Sequence, residues 1–353
     1  MKKYNVGEWS EIYVFLKSLL DGKFNVMKAD LKSEITKYEI IKIFKKDYNN
    51  IQELEFSPML KDQELLNILN LFFKKLITSN QTTFEIKEIE EYAEKLNFSL
   101  NKGSSNQKND LDVIIKDCYQ KISPRLGYSI KSELSSKATL LNASGHTDFI
   151  YKVENLNPNY IDLINSIKTK EKLKDRYNEI IKNGGNIIPI GASSKTFSFN
   201  LNCIDGDLEN LLTSLLLYSY IYKTKDIKEL IELLVKNNPL KIDVSIFFNP
   251  YDYLKFFYSN KLLKFFNAVA FEMFPSSVMT KSTISFGGML IMHKQGNISL
   301  LDKIYFINEL NDYFLNNLKL DSPSSTRYHM LELKQCPTTN EIYFTLNLQI
   351  RFK

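Results

Sequence analysis

Cysteine and arginine are scarce in this sequence, and long apolar runs are absent. Its three cysteines lie far apart and form no Cys-x-x-Cys pair, so the sequence favours neither a disulfide framework nor a zinc site. We expect Cys118, Cys203 and Cys336 to be reduced and buried. The longest apolar stretches are too short or too interrupted by polar residues to cross a bilayer, and the opening "MKKYNVGEWS" lacks the apolar core of a secretory signal. A cytoplasmic protein is therefore expected.

The four arginines stand out because nearly all of the other basic residues are lysines. A guanidinium is a planar, bidentate donor that an ammonium cannot replace, so each arginine is a candidate for a specific contact, with chance retention as the alternative. The arginines are Arg125, Arg176, Arg327 and Arg351. The net charge of +5 is a mild excess for 353 residues and gives only weak support for a polyanionic partner.

Apolar and aromatic side chains are abundant. With 353 residues, 44% of them hydrophobic and 13% aromatic, the chain can bury a substantial core and form two or three domains. Helical spacing predicts helices over 9–20, 33–46, 62–77 and 84–96 and through most of 157–275, where the aromatic segment 251–274 is expected to be core. Period-two alternation predicts strands over 110–117, 128–134 and 148–153, a hairpin within 283–300 and a terminal strand.

Two of the predicted strands place polar side chains on one face. In the first, Asp110 and Asp112 point the same way, and in the second Ser129, Lys131 and Glu133 share a face opposite the apolar residues. The connection between the strands is short enough for antiparallel pairing. The hairpin therefore brings acidic side chains beside a lysine.

This combination suits metal-dependent cleavage of a phosphodiester, which needs hard oxygen ligands for Mg²⁺ and a cation near the scissile phosphate. An Asp on one strand, an acidic-x-Lys on the next and a Glu from a preceding helix form the pattern of the PD-(D/E)xK nuclease fold. Glu8 and Glu11 begin the predicted N-terminal helix. The sequence departs from the pattern at Ser129, where an acid is usual. Glu133, Glu8 or Glu11 could supply the missing carboxylate, and a hairpin with an ordinary solvated face is the alternative.

Longer segments resemble the HpaII family of type II restriction endonucleases, in the same order along nearly the whole chain. They are "GEWSEIYVFLKSLLDGK" near the start, "KNDLDVIIKD" followed by "LGYSIKSELSSKATLLNASGHTDFIY", and, near the end, "SFGGMLIMHKQG", "SPSSTRYH" and "LNLQIRF". The resemblance implies a Mg²⁺-dependent endonuclease of PD-(D/E)xK type that cuts double-stranded DNA, with CCGG as the target. It also implies a protective DNA methyltransferase as the functional partner.

The same resemblance assigns roles to individual residues. Asp110 corresponds to the strand aspartate that binds metal, and Lys131 to the catalytic lysine, while Asp112 is the less favoured ligand. Gly7-x-x-x-Glu11 matches the start of the helix in related nucleases, which favours Glu11 over Glu8. For Glu8 the alternative is a helix N-terminal acid, and for Glu133 a solvated strand residue. In the family the lysine triplet also departs from acidic-x-Lys, so Ser129 is compatible with activity.

Recognition of one DNA sequence requires contacts to base edges, and guanine is best read by Arg or Lys. Two of the arginines fall in the family-like C-terminal segments, together with hydroxyl, amide and imidazole side chains. The residues that we expect to contact DNA are Arg327, Arg351, Gln349, Ser325, Thr326 and His329, with Ser324 as a further hydroxyl. For Arg351 the alternative is pairing with an acid, and for His329 an ordinary surface position.

The predicted fold is mixed α/β (α+β): a PD-(D/E)xK core with a mixed sheet flanked by helices, a helical middle region and a C-terminal α+β part. The corresponding boundaries are 1–155 for the nuclease core, 156–275 for the helical region and 276–353 for the segment that completes DNA recognition. A palindromic target is most easily cut by a two-fold homodimer. The alternatives are a structure-specific or repair nuclease with the same core and a non-catalytic DNA-binding protein.

Overall fold

The computed structural model describes residues 3–47, 52–79, 81–98, 100, 109–117, 119, 122–134, 138–279 and 284–353. The strands are β1 (Lys23–Met27), β2 (Glu34–Asp47), β3 (Gln52–Phe56), β4 (Leu111–Lys116), β5 (Arg125–Ser132), β6 (Thr139–Leu141), β7 (Asp148–Glu154), β8 (Asn186–Ala192), β9 (Phe286–Met292), β10 (Ile298–Asp302), β11 (Leu318–Leu320), β12 (Lys334–Gln335), β13 (Ile342–Asn347) and β14 (Ile350–Phe352). The helices are α1 (Val6–Asp21), α2 (Gln63–Thr78), α3 (Lys87–Lys95), α4 (Ile161–Asn165), α5 (Lys172–Lys182), α6 (Lys195–Ile204), α7 (Leu208–Ile221), α8 (Ile227–Asn237), α9 (Pro250–Phe271) and α10 (Ile307–Asn317).

These elements form two compact units. The first unit contains residues 1–138 and 281–313, and the second contains 139–280 and 314–353. This division differs from the predicted one, which had three consecutive regions. The reason is that β9 and β10, which come late in the chain, pair with β5 and β1 of the first unit. Each unit is therefore assembled from two separate stretches of sequence.

The first unit is built on a mixed sheet in the order β1–β10–β9–β5–β4–β2–β3. The pairs β1–β10 and β5–β9 are parallel, and the other neighbours are antiparallel. Because β1 also pairs with β2, the six strands other than β3 close into a ring. The predicted hairpin within 283–300 is confirmed as β9 and β10.

Helix α1 packs between this sheet and α2: the fully buried Phe15 contacts Phe56 of β3, and the fully buried Trp9 contacts Phe72 of α2. The Trp9 indole N–H donates to the carbonyl of Phe84 at 3.1 Å, so its one polar atom is satisfied inside the core. Ser10 Oγ donates to Ser132 Oγ at 2.9 Å. This contact fixes the first turns of α1 over the end of β5.

The helix predicted over 33–46 is wrong, since these residues form strand β2. The strand has a bulge between Ile40 and Lys42 in its pairing with β4. A bulge inserts one residue into the alternation, so Tyr38, Ile40 and Ile43 are all buried at spacings of two and then three. That mixed spacing resembles part of a helical period, which accounts for the wrong prediction. The helices predicted over 62–77 and 84–96 are confirmed as α2 and α3.

The second unit contains a four-stranded sheet in the order β12–β13–β7–β8 and a three-stranded sheet in the order β11–β14–β6. Helices α4–α9 supply the helical content predicted over 157–275. In α9 the second half buries Phe265 and Phe266, whereas Tyr251 and Tyr253 are exposed and Phe256 is 70% exposed. The expectation that this aromatic segment is core is therefore correct from Tyr258 onwards and wrong for the exposed aromatic residues before it.

Two expectations from composition can be compared with the described residues. Cys203 is a free, exposed thiol and Cys336 is free and half-buried, so the expected burial is wrong for Cys203 and only partly met for Cys336. Cys118 lies outside the described residues. Within the part of the chain that the structure describes, no helix has the length and apolar character needed to cross a membrane.

Candidate active site

The polar hairpin forms as predicted, with β4 and β5 antiparallel and Asp112 opposite Gly127. The absence of a side chain at Gly127 is required here. A Cβ atom would lie 2.9 Å from Cβ of Asn109 and 3.4 Å from a carboxylate oxygen of Asp112. The hairpin therefore accommodates polar side chains at its edge because one partner position is a glycine.

Asp110 is held directly against β5. Its backbone N–H donates to the carbonyl of Tyr128 at 2.9 Å, and its Oδ2 accepts the backbone N–H of Ile130 at 2.7 Å. Ser129 Oγ lies 3.5 Å from the same oxygen. These contacts place the Asp110 carboxylate next to the backbone that carries Lys131. Ser129, at the position where the nuclease pattern has an acid, lies beside the Asp110 carboxylate.

Glu11 on α1 completes a charged cluster with Asp110 and Lys131. Burial, followed by the negative charge of Asp110, raises the pKa of Glu11 from 4.5 to about 8, while Lys45 and Lys131 oppose this increase. Two carboxyl groups in one desolvated place resist double ionisation unless cations are present. The cluster is thus a site where a carboxylate pair needs positive charge.

Lys45 on β2 is a member of this cluster that the sequence did not reveal. Burial of its amino group lowers the pKa of Lys45, and Glu11 and Asp110 act in the opposite direction. Its Nζ lies 5.6 Å from the centroid of the Phe15 ring. Had β2 been predicted as a strand, Lys45 would have stood out because it follows the buried Ile43 by two residues, on the same face.

Asp112 belongs to a different arrangement. It is buried, and its carboxylate accepts from the Asn109 amide and forms an ion pair with Arg125 at 3.2 Å. Arg125 also pairs with Glu53 and stacks on the Phe44 ring, 3.9 Å from the ring centroid. These contacts make Arg125 a structural residue that neutralises Asp112, and they separate the two aspartates of the predicted pair.

Glu8 and Glu133, the other predicted metal ligands, each have structural partners. Glu8 forms a capping box with Asn5: its carboxylate accepts the Asn5 N–H at 2.8 Å, and its own N–H donates to Asn5 Oδ1 at 3.0 Å. Glu133 lies 3.1 Å from Nδ1 of His293 and accepts the Lys294 N–H at 3.2 Å. Both carboxylates therefore hold local structure at the ends of α1 and β5.

The donor set that remains is a pair of carboxylates. No group of three or more His, Cys, Asp or Glu side chains suited to a metal ion occurs among the described residues. Mg²⁺ commonly binds through only one or two carboxylates and completes its shell with water and substrate phosphates. The half-buried pair Glu11 and Asp110, whose negative charges oppose each other, fits this requirement.

The predicted DNA-contacting residues of the loop 322–332 lie in the second unit. Ser325, Thr326 and His329 line a cleft of about 970 Å³. Arg327 is exposed beside the Tyr328 ring, and its backbone N–H donates to Ser324 Oγ at 3.2 Å. His329 Nδ1 is 2.9 Å from the Glu332 carboxylate.

The other two predicted DNA contacts lie near the C-terminal strand and are more enclosed. Arg351 on β14 is paired with Asp321, at 3.0 Å from Nε to the carboxylate, which matches the alternative of pairing with an acid. Gln349 is buried, and its backbone carbonyl accepts the Asp321 N–H at 2.9 Å. Arg327 is exposed to solvent, whereas the Gln349 side chain is buried and the Arg351 side chain is paired with an acid.

Comparison with known proteins gives a consistent result. The model of the HpaII restriction endonuclease family matches residues 5–352. The chain is 33% identical over 365 aligned positions to the type II restriction enzyme HpaII of Haemophilus parainfluenzae, covering 99% of this chain and 98% of that protein. No solved structure matches. The chain therefore belongs to the HpaII restriction endonuclease family and is a type II restriction endonuclease, a site-specific deoxyribonuclease of double-stranded DNA.

Proposed function

We propose that the protein hydrolyses phosphodiester bonds at CCGG in double-stranded DNA, with Mg²⁺ as cofactor, through a site built from Glu11, Asp110 and Lys131. The observation that carries this proposal is the convergence of one residue from α1, one directly before β4 and one from β5 on a single charged cluster, in which Glu11 is desolvated. The three residues are separated by up to 120 positions in sequence, and only the packing of α1 on the β4–β5 hairpin brings them together.

In the proposed site, Glu11 and Asp110 would hold Mg²⁺, and the ion would supply Lewis-acid stabilisation of the scissile phosphate and a more acidic water molecule. The two backbone contacts to Asp110 fix its carboxylate before substrate arrives. Lys131 orients the attacking water and stabilises the charge that develops on the phosphate in the transition state. The products are a 5′-phosphate and a 3′-hydroxyl.

Lys45 has a positioning role in this proposal. It shares the cluster with Glu11 and Asp110, and its charge favours their ionised forms. A lysine in this place keeps the carboxylates available as ligands while Lys131 acts on the phosphate. The proposed core thus contains two lysines from the strands on either side of β4, one from β2 and one from β5.

We also propose that the first unit is a PD-(D/E)xK core. Support comes from the helix α1 that carries Glu11, the antiparallel β4–β5 hairpin that carries Asp110 and Lys131, and the parallel strand β9 beside β5. Ser129 departs from the acidic residue of the usual pattern, and this departure is compatible with the proposed site. Its small hydroxyl lies beside Asp110 and leaves room for that carboxylate. A two-fold homodimer and a cognate methyltransferase complete the proposal.

The test is a digest of unmethylated plasmid DNA with Mg²⁺, followed by sequencing of the fragment ends. We expect discrete fragments whose ends map to CCGG. A matched plasmid in which one CCGG is altered should lose that cut and no other. Discrete fragments with ends at another sequence would overturn the CCGG assignment alone, whereas cleavage without sequence preference would favour a structure-specific or repair nuclease.

A further inference from the structure

A cleft in the second unit collects an unusual amount of positive charge. Its volume is about 970 Å³. One wall comes from the turn between α4 and α5 and from the first turn of α5, and the other comes from the loop 320–332. The basic residues that line it are Lys168, Lys170, Lys172, Lys174, Arg176, Lys223 and Lys225.

The two walls are tied together by buried polar contacts. Arg176 is buried and donates to the carbonyls of Asn165 and Ile167, at 2.5 and 3.2 Å, on one side and of Leu331, at 3.0 Å, on the other. The Asn165 amide exchanges two hydrogen bonds with the backbone of Leu333, at 2.8 and 2.9 Å. The cleft is therefore already formed, and a ligand would not have to pay for ordering its walls.

The acidic residues in the cleft already have side-chain partners. Glu171 pairs with Lys223 and Asp321 with Arg351, and the Glu332 carboxylate contacts the His329 imidazole. Lys225 lies 3.9 Å from Asp321 as well.

The four lysines at alternating positions from 168 to 174 have no such partner. Among the described residues, none of them forms an ion pair with a carboxylate. Lys168 and Lys170 are exposed, and Lys172 and Lys174 are half-buried. Basic side chains therefore outnumber acidic ones in the cleft, and these four lysines have no carboxylate partner among the described residues.

We propose that this cleft binds the sugar–phosphate backbone of duplex DNA, with Lys168, Lys170 and Lys172 as phosphate contacts. The inference rests on the proposed function, because the DNA is the substrate of the same enzyme. The opposite wall presents Ser325 and Thr326, whose hydroxyls are typical donors to phosphate oxygens. Ammonium groups act as point charges and carry little base information, so the cleft supplies affinity and register and leaves sequence readout to other side chains.

The test measures binding at several salt concentrations, without divalent cations so that the DNA is not cut. The variant is the triple substitution Lys168→Gln, Lys170→Gln and Lys172→Gln. Each lost phosphate contact removes about 0.9 from the slope of log Kd against log salt, so we expect the slope to fall by about 2 to 3. Affinity should decrease by a similar factor for a CCGG duplex and for a duplex without that site.

The matched control removes three exposed lysines of the same unit that lie outside the cleft: Lys195→Gln, Lys228→Gln and Lys236→Gln. This control should change the slope by less than about 1. Cleavage should be unchanged in the control variant, whose lysines lie outside the cleft. Thermal unfolding of both variants near the wild-type midpoint shows that they are folded.

An unchanged slope in the cleft variant, or an equal loss in the control, would overturn the inference. An affinity loss confined to the CCGG duplex would also overturn it, since it would indicate base readout. If the wild type binds and cuts DNA and the cleft variant binds with the same affinity and salt slope, only the cleft assignment fails. A wild-type protein that neither binds nor cuts duplex DNA would remove the proposed function itself.

Discussion

In the first unit the charges of Glu11 and Lys45 are withdrawn from water, whereas in the second unit Lys168 and Lys170 lie exposed in an open cleft. Coulomb interactions are several-fold weaker in water than in a protein interior. At physiological ionic strength, salt also screens interactions between exposed charges that are more than about 8 Å apart. The effect of a lysine in the first unit therefore depends on which groups surround it. The effect of a lysine in the cleft of the second unit depends mainly on its charge. The same side chain thus serves chemistry in one unit and attraction in the other.

The largest expected effect comes from Lys131→Met, which should lower kcat by about 10³-fold or more at saturating DNA. The physical reason is that no solvent ion can replace an ammonium whose charge acts on Glu11 and, in the proposed site, on the scissile phosphate. Lowering the salt concentration should not restore the rate. Single-turnover cleavage at several salt concentrations measures both effects.

Lys170→Met in the cleft is the matched counterpart of that substitution. It should change binding by only a few-fold at physiological salt, and low salt should restore it. Equal losses for the two variants would contradict the contrast between a lysine of the catalytic cluster and an exposed lysine of the cleft.

Glu11→Gln should lower the cleavage rate by about 10²- to 10³-fold, because a proposed metal ligand is lost. The same substitution should change how stability depends on pH. In the unfolded chain the carboxyl titrates near 4.5, and in the folded protein its pKa is about 8, so between these values the folded state holds the proton more tightly. The free energy of unfolding of the wild type, without metal, should therefore decrease as pH rises from 4.5 to 8.

Denaturant titrations across this pH range provide the measurement. We expect the Glu11→Gln variant to lack this decrease and to exceed the wild type by roughly 2 kcal/mol at pH 8, from the free-energy equivalent of a pKa shift after allowance for solvent screening. Saturating Mg²⁺ should stabilise the wild type more than the variant at that pH. Identical pH profiles for the two proteins would show that Glu11 is not desolvated beside Asp110.

Lys45→Met should reduce cleavage by about 10- to 100-fold, less than Lys131→Met, because Lys45 acts through the carboxylates. Lys42→Met is the control, since Lys42 is on the same strand but half-exposed and paired with Glu55. Measured kcat values for the three variants give the order directly. If the loss at Lys45 exceeds the loss at Lys131, the assignments of the two lysines must be exchanged.

Glu8→Gln is expected to have the smallest effect. It weakens the capping box at the start of α1, so thermal or denaturant unfolding should show a loss of about 0.5 to 1 kcal/mol. Cleavage at saturating Mg²⁺ should remain within a few-fold of the wild type. A loss of activity comparable to that of Glu11→Gln would make Glu8 a metal ligand.

Much of this fold was predictable because local patterns matched the final structure. The alternation around Asp110 and Lys131 predicted β4 and β5 correctly, and α1 is bounded by the Asn5 cap and by Gly22, which has a φ of 61°. The failure at β2 arose because a bulge is decided by the partner strand, and its effect on spacing cannot be separated from a helical period in one sequence. Lys45 was missed for the same reason.

The candidate residues also divided in ways that spacing could not predict. Asp110 and Asp112 are equivalent in the alternation, yet one faces Glu11 and the other is neutralised by Arg125. The partner of Asp112 comes from the adjacent strand, so the distinction exists only once β4 and β5 are paired. Likewise Arg351 on β14 pairs with Asp321, which directly follows the neighbouring strand β11, whereas Arg327 is exposed.

By itself the sequence determined the mixed α/β character, the helices with strong caps, the polar hairpin and the family resemblance, because these depend on local periodicity and on the order of segments. The tertiary structure decided that β9 and β10 return to the first unit, that Lys45 joins Glu11 and Asp110, and that lysines of the α4–α5 turn form a cleft with loop 320–332. These outcomes depend on contacts between residues far apart in the chain, where burial and neighbouring charge, rather than residue type, determine what a side chain can do.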